Sequence, residues 1–353
     1  MRSANTINLV SIYTSRQNAR GPGKVFHNLV KGLDKIEQPY RINHSLNSTR
    51  RLWIHSDMRA LLELPRSGTV NVLGPSLCIL PMNLATRRPF PRSVYLMHCE
   101  WAAKLWAEEG FNQCPIRIWP TGVDTDEFSE RPPPGGDAPV LVYYKMRFPH
   151  ELNYVERLLK RLHLNYQVLV YNNYGNLDYG ELLRRCSFII WLGHQETNAI
   201  ALLEALAAGV PVLVLDALTL YHDYPVPRDT FPESLQVFPT TSAPYFDPRC
   251  GIILDSLDSA EEGIELMRER LTMFHPREFI LDTLSLEKQA REFVEIFEEL
   301  EQVHSREETI EFRFTDRSYT PKPRTVLRWK MFNQKAKIRR AVWLLIRCLR
   351  SRL

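Results

Sequence analysis

"GHQETNAIALLEALAAGVPVLVLD", residues 193–216, is the stretch whose reading decides the fold. It follows the apolar run "SFIIWLG", a buried strand, and it ends in "VPVLVLD", the next strand. Between them "TNAIALLEALAAG" reads as a helix. Strand, helix, strand over a short length is a unit whose two strands lie parallel. The middle segment carries two carboxylates, Glu196 and Glu204, eight positions apart. On a helix turning 100° per residue they fall about 80° apart and about 12 Å apart along the axis. One then sits at the tip and the other two turns inside. Glu196 could simply complement the helix dipole, and Glu204 could be an exposed position. Against the second reading, Leu202, Leu203, Ala205, Leu206 and Ala208 leave little polar face around Glu204.

The same alternation runs outward in both directions. "TINLVSIY" is a strand, "SRQNARGPGK" a polar glycine-containing loop, and "VFHNLVKGLDKI" has the helical period. "RLWIHSD" is a strand leading into the short helix "MRALLELP". "TVNVLGPSLCILP" and "SVYLMHC" are further strands, "EWAAKLWAEEG" a helix, and "CPIRIWPTGVD" a strand with a turn after it. "TDEFSERPPPGGDAP" reads as a linker from its prolines and glycines. Beyond it, "VLVYYKM", "NYQVLVYNN" and "SFIIWLG" are strands, and "ELNYVERLLKRL" and "DYGELLRRC" helices. "LEKQAREFVEIFEELEQV" is one long helix at the end of this half. The expected class is α/β: residues 1–124 form a Rossmann-like domain, 125–138 a linker, 139–305 a second such domain, and 306–353 a basic extension. Parallel sheets place ligands at the carboxyl ends of their strands, so two such domains facing each other make a cleft.

Composition bounds the reading. The chain has 353 residues, 44% of them apolar and 24% charged, enough for two domains with real cores. No cysteine pair has C-x-x-C spacing, which argues against a zinc or dithiol motif and for reduced thiols in the cytoplasm. The first residues are too polar for a secretory signal, and no run of about 18 apolar residues predicts a membrane span. The net charge of +4 conceals a split. From Lys322 onward there are eleven Lys and Arg and no acid, which leaves 34 basic against 41 acidic residues in the remainder.

Glu-x7-Glu followed by Ala-x-Ala-Ala-Gly-Val-Pro-Val resembles the donor motif of the retaining nucleotide-sugar glycosyltransferases of the GT-B fold, the group related to glycogen and sucrose synthases. "RGPGKVFHNLVKGL" resembles that group's glycine-rich first loop and helix. "IWPTGVDTDEF" resembles the segment closing its N-terminal domain, and "LVYYKMR" the first strand of its donor domain. "DPRCGIIL" and "HPREFILDTLS" resemble later segments. The resemblance covers roughly residues 7–300. It implies two Rossmann-like domains facing a cleft, and transfer of a sugar from a nucleoside diphosphate to a hydroxyl, with the nucleotide sugar as co-substrate.

Roles follow from the resemblance position by position. Glu196 would contact the donor sugar at the reaction centre. Thr197, Asn198 and Ala199 would line the donor site at the helix start, where unpaired amides and the dipole suit anions. Glu204, a half-buried carboxylate in want of hydroxyl or amide donors, would take the ribose diol. Lys145 and Arg147 would neutralise the departing diphosphate, although the pair also reads as an ordinary charge cluster at a strand end. Gly21 and Gly23 would let the backbone close over the phosphates. His98 ends a strand facing the expected cleft and is the histidine assigned to the reaction centre; His55 and His194 are weaker candidates. The chain departs from many relatives in having Thr-Asn-Ala where they carry Gly-Phe-Gly.

Two further patterns are set aside. Asp124 and Asp126 spell Asp-x-Asp, but within the "TGVDTDEF" turn, so no catalytic metal is expected. "GPGK" lacks the full spacing of an NTPase phosphate loop. The tail has Val342, Leu345, Ile346 and Leu349 at helical spacing among arginines. That suits an interfacial helix, residues 324–353, on an anionic membrane surface, and would accompany a lipid-linked acceptor. A basic unstructured end, or a helix packed on the acidic body, are the alternatives. No nucleic-acid module is present in the motifs. A non-catalytic sugar- or lipid-binding scaffold and an epimerase of the same fold are the competing functions.

Overall fold

The apolar runs become the strands of two parallel sheets. The computed structural model describes residues 5–14, 21–65, 68–132, 135–173, 176–222 and 233–305. The basic extension, and with it the expected membrane contact of residues 324–353, lies outside the described residues.

The first lobe contains β1 (Ile7–Ser11), α1 (Pro22–Lys35), β2 (Tyr40–Ile42), β3 (Arg51–His55), α2 (Met58–Leu62), β4 (Val70–Leu73), β5 (Ser93–Met97), α3 (Glu100–Glu108) and β6 (Ile116–Ile118). Its sheet order is β2-β1-β3-β4-β5-β6, and every pairing is parallel. The second lobe contains β7 (Val140–Tyr144), α4 (Pro149–Arg161), β8 (Tyr166–Val170), α5 (Asn176–Arg185), β9 (Ile189–Leu192), α6 (Ile200–Ala207), β10 (Val212–Leu215), β11 (Gly251–Leu254), α7 (Ala260–Glu269) and α8 (Pro276–Thr283). Its order is β11-β10-β9-β7-β8, again all parallel. β1, β3, β4, β5, β9 and β10 are buried along their whole length. Strands covered on both faces read as continuous apolar runs, which is why they were legible. The short edge strand β2, half-exposed to exposed, has no such run and was not anticipated.

Each sheet has one place where the strand order reverses: between β1 and β3 in the first, and between β7 and β9 in the second. A crevice opens at such a point because the connections leave in opposite directions, and ligands bind there.

Two expectations about the boundary between the lobes need correction. The "linker" 125–138 is largely exposed but not free, being anchored at Phe128 and Arg131. Phe128 is buried in the core of the second lobe, and Arg131 donates to the carbonyls of Cys186 and Ser187. The long last helix, α9 (Leu286–Ser305), belongs by its contacts to the first lobe, although it follows the second in sequence. Phe293 packs edge-on against Trp53, with ring centroids 5.3 Å apart, and also meets Trp119. Trp119 donates to the carbonyl of Gln289 at 3.0 Å, and Arg51 pairs with Glu301 at 2.8 Å. The sequence shows that α9 has an apolar face but not which core that face meets.

The return of α9 depends on small residues opposite its start. A Cβ at Gly32 would lie 2.7 Å from the carbonyl oxygen of Leu286, and one at Gly122 would lie 2.8 Å from its Cα. Backbone cannot yield as a side chain can. Gly32→Val is therefore expected to destabilise by about 1–3 kcal/mol, as overpacking does. A urea midpoint unchanged from the parent would show that α1 and α9 do not meet this closely.

Candidate functional site

The two reversal points face one cleft of about 400 Å3. From the first lobe it is lined by Gly21 and Lys24 at the start of α1, by the loop after β4, and by His98 after β5. From the second come Lys145 after β7, Tyr171 after β8, and residues 196–201 with Glu204 after β9. All follow the carboxyl ends of parallel strands, as the sequence reading expected of a ligand site.

Lys145 and Glu196 follow adjacent strands across the second reversal point. Their side chains meet at 2.6 Å, with the ammonium 4.5 Å from the centroid of the Tyr171 ring. His194 Nε2 is 3.5 Å from the same carboxylate oxygen. The backbone of Glu196 is held from both sides: its amide donates to Thr241 O, and its carbonyl accepts from Trp101 Nε1, each at 3.0 Å. Trp101 belongs to α3 of the first lobe, so this bond crosses between the lobes. A carboxylate and an ammonium, paired but each about one-seventh exposed, can respectively accept hydrogen bonds from a ligand and face an anionic group.

Glu204 lies inside α6 and is 4% exposed. Burial raises its pKa above the ordinary carboxylate value, and Lys24 offsets part of that rise. The Lys24 ammonium contacts Glu204 Oε1 directly, reaching from the first lobe to the second. Lys24 is also 5.3 Å from the centroid of the Phe128 ring. The sequence reading assigned Gly21 and Gly23 of "GPGK" but not Lys24, although a lysine beside the glycine loop was itself a signal. Trp101 carried no signal in the sequence.

The helix start differs from the expectation. α6 begins at Ile200, not at Thr197, and Ala199 before it is left-handed with φ 53°. Thr197, Asn198 and Ala199 line the cleft as the turn into the helix, while the amides nearest its tip belong to Ile200 and Ala201. The Asn198 side chain anchors the turn before the helix. Its Oδ1 accepts from the amide of Thr121 at 3.1 Å, tying the turn to the segment after β6. Its Nδ2 is buried with no hydrogen-bond partner and belongs to a residue that lines the cleft.

His98 also lines the cleft, 5% exposed, with Nδ1 unpartnered. Burial lowers its pKa to about 4, against a smaller opposing effect from a backbone hydrogen bond at Trp119. It is a neutral imidazole at neutral pH. His55 does not line the cleft. It is fully buried, with Nδ1 3.1 Å from Ser11 Oγ and its ring stacked on Trp53.

Two assigned residues do not reach the cleft. Gly23 is buried within α1, and only Gly21, at φ 50°, presents backbone there. Arg147 is 2% exposed and its guanidinium is fully engaged. It forms a two-point pair with Glu151 and donates to the carbonyls of Gly193 at 3.0 Å and Leu215 at 2.7 Å. Burial tends to raise the Glu151 pKa, but Arg147 outweighs it and holds the carboxyl below its ordinary value. Arg147 is thus a structural tie between β7, β9, β10 and α4. The reason is a turn. β7 ends at Tyr144 and Met146 has φ 51°, so Lys145 and Arg147 do not share a side as alternate residues of a strand would.

Asp124 is accounted for without a ligand. One carboxylate oxygen accepts from the amides of Asp126 and Glu127, and the other meets Lys31 at 2.7 Å. Among the described residues no group of three or more His, Cys, Asp or Glu side chains is placed to hold a metal ion.

No protein-family model matches the chain, and no curated protein matches it. Solved structures do. A sucrose-phosphate synthase from Thermosynechococcus elongatus aligns over 85% of this chain and 100% of its own, with a TM-score of 0.53 and 10% identity. HepE from Anabaena, in complex with UDP and glucose, aligns over 83% and 99%, with a TM-score of 0.48 and 10% identity. At such identity the likeness to the synthase establishes the fold alone. Together with the topology above, it shows that this chain has the GT-B architecture of two Rossmann-like lobes.

Proposed function

We propose that this protein is a glycosyltransferase that moves a sugar from a nucleoside diphosphate to a hydroxyl of a glycan or lipid-linked acceptor, with retention. The supporting observation is the meeting of Lys145 with Glu196 at one strand-order reversal, in the same cleft as Glu204 and the start of α1 at the other. A shared fold does not by itself assign an activity, so the reading rests on these side chains.

In this reading Glu204 accepts from the ribose hydroxyls, which suits a carboxylate too buried to be solvated. The diphosphate lies between Lys145, the amide-bearing tip of α6 and the Gly21 backbone. Glu196 accepts from hydroxyls of the sugar and fixes Lys145. His98 and Asn198 offer polar atoms to the same sugar. The acceptor hydroxyl is the nucleophile. As the bond from the anomeric carbon to the phosphate oxygen breaks, negative charge grows on the diphosphate, and Lys145 stabilises it. The departing phosphate takes the acceptor's proton. Lys145 does the charge work that a metal does elsewhere.

Thermal unfolding of the purified chain against UDP-, GDP-, ADP- and CMP-sugars, without added metal, tests the proposal. A donor at 100 times its dissociation constant is expected to stabilise by about 2.7 kcal/mol, and Glu204→Gln is expected to reduce the shift. No shift with any of the four would sink the reading and favour a non-catalytic scaffold.

A further inference from the structure

The contact between Lys24 and Glu204 has a consequence for what the cleft selects. Lys24 stands in the first turn of α1, three residues past Gly21, and both residues line the cleft. Its partner is a buried carboxylate on the other lobe. A carboxylate so placed is costly to leave without a counter-charge, and the same holds for an ammonium withdrawn from water. Ribose hydroxyls give Glu204 hydrogen bonds but no charge, and they leave Lys24 without an anion. A ligand that also carries phosphates restores the balance by giving the ammonium a new partner within the same cleft.

We propose that Lys24 serves two anions in turn, pairing with Glu204 across the lobes and passing to the phosphates when a nucleotide's ribose occupies Glu204. This rests on the donor-site reading above. Lys24 is then a binding residue supplied by the first lobe, and the site is complete only when the lobes are together. The exchange makes the cleft selective for a nucleoside diphosphate over its nucleoside. The nucleoside must break a buried ion pair with nothing to replace it. Lys145 differs in that its carboxylate partner comes from its own lobe, so its pairing does not tie the two lobes together.

The test uses the full chain and titration calorimetry with UDP, GDP, ADP and CDP and the four matching nucleosides. Lys24→Met alone strips Glu204 of its partner and could fail by misfolding, so the informative background is Glu204→Gln, where Lys24 has no structural duty left. In that background Lys24→Met is expected to weaken the diphosphate that binds best by tenfold or more, and to change nucleoside binding by less than threefold. Equal changes for diphosphate and nucleoside, or no change for either, would show that Lys24 is only the structural partner of Glu204. That result would leave the glycosyltransferase reading standing. Failure of the unmodified chain to bind any of the diphosphates would overturn both.

Discussion

Arg147→Met is expected to lower stability by about 3–5 kcal/mol, the cost of breaking a buried ion pair and leaving one charge uncompensated. Domains are stable by only about 5–15 kcal/mol, so the variant should be largely unfolded under mild denaturant. The cause lies in four attachments lost at once. Arg147 holds Glu151 at two points and caps the carbonyls of Gly193 and Leu215, which end up facing nothing. Glu151 is 4% exposed and also accepts from the amide of Phe148, so it cannot turn to water without undoing the start of α4. Guanidinium-chloride midpoints of the parent, Arg147→Met and Arg147→Met/Glu151→Leu would check this. The double variant should recover much of the loss, because replacing a buried pair by apolar groups is far less costly than halving it. A single variant as stable as the parent would show that the pair contributes nothing to folding.

Lys145→Met is expected to do the opposite, keeping the fold and losing the reaction. Its ammonium pairs with a carboxylate at the cleft wall, and the partner's side chain is 13% exposed, so water can reach Glu196 once the lysine is gone. Removing a preorganised donor from a leaving group's developing charge lowers kcat by about 10²–10³-fold. The assay follows release of nucleoside diphosphate from whichever nucleotide sugar stabilises the protein, with the denaturation midpoint measured alongside. The outcome expected is a midpoint near that of the parent with kcat reduced by two orders of magnitude or more. A kcat within threefold of the parent would remove Lys145 from the mechanism. The two variants lie two positions apart in "YYKMR", and a charge cluster at a strand end would treat them alike.

That contrast shows where sequence reasoning reached its limit. Both residues are basic and both follow the first strand of the second lobe, and composition offers no way to rank them. The backbone separates them: Met146 at φ 51° turns the chain, one side chain enters the cleft and the next long one is driven into the interior. Glu196 and Glu204 fared differently. Their eight-residue spacing and the apolar surroundings of Glu204 were visible, and both line the cleft. The helix start read from the sequence, at Thr197, came three residues early, because α6 begins only at Ile200. In the turn before it, Asn198 Oδ1 accepts from the Thr121 amide, a partner 77 positions away, which no local pattern encodes.

The sequence by itself determined the alternation of strands and helices, the parallel sense of both sheets and the existence of two lobes. Each of these depends on periodicity within about twenty residues, and a strand buried on both faces has to be apolar throughout. It also determined that carboxylates and lysines would stand at strand ends, where parallel sheets gather their ligands. Only the tertiary structure decided that α9 returns to the first lobe, that Arg147 serves the fold while Lys145 faces the cleft, and that Lys24 meets Glu204. The physical reason is common to all three. An amphipathic face or a charged group specifies what kind of partner it needs, while which partner it finds depends on the packing of elements far apart in the chain.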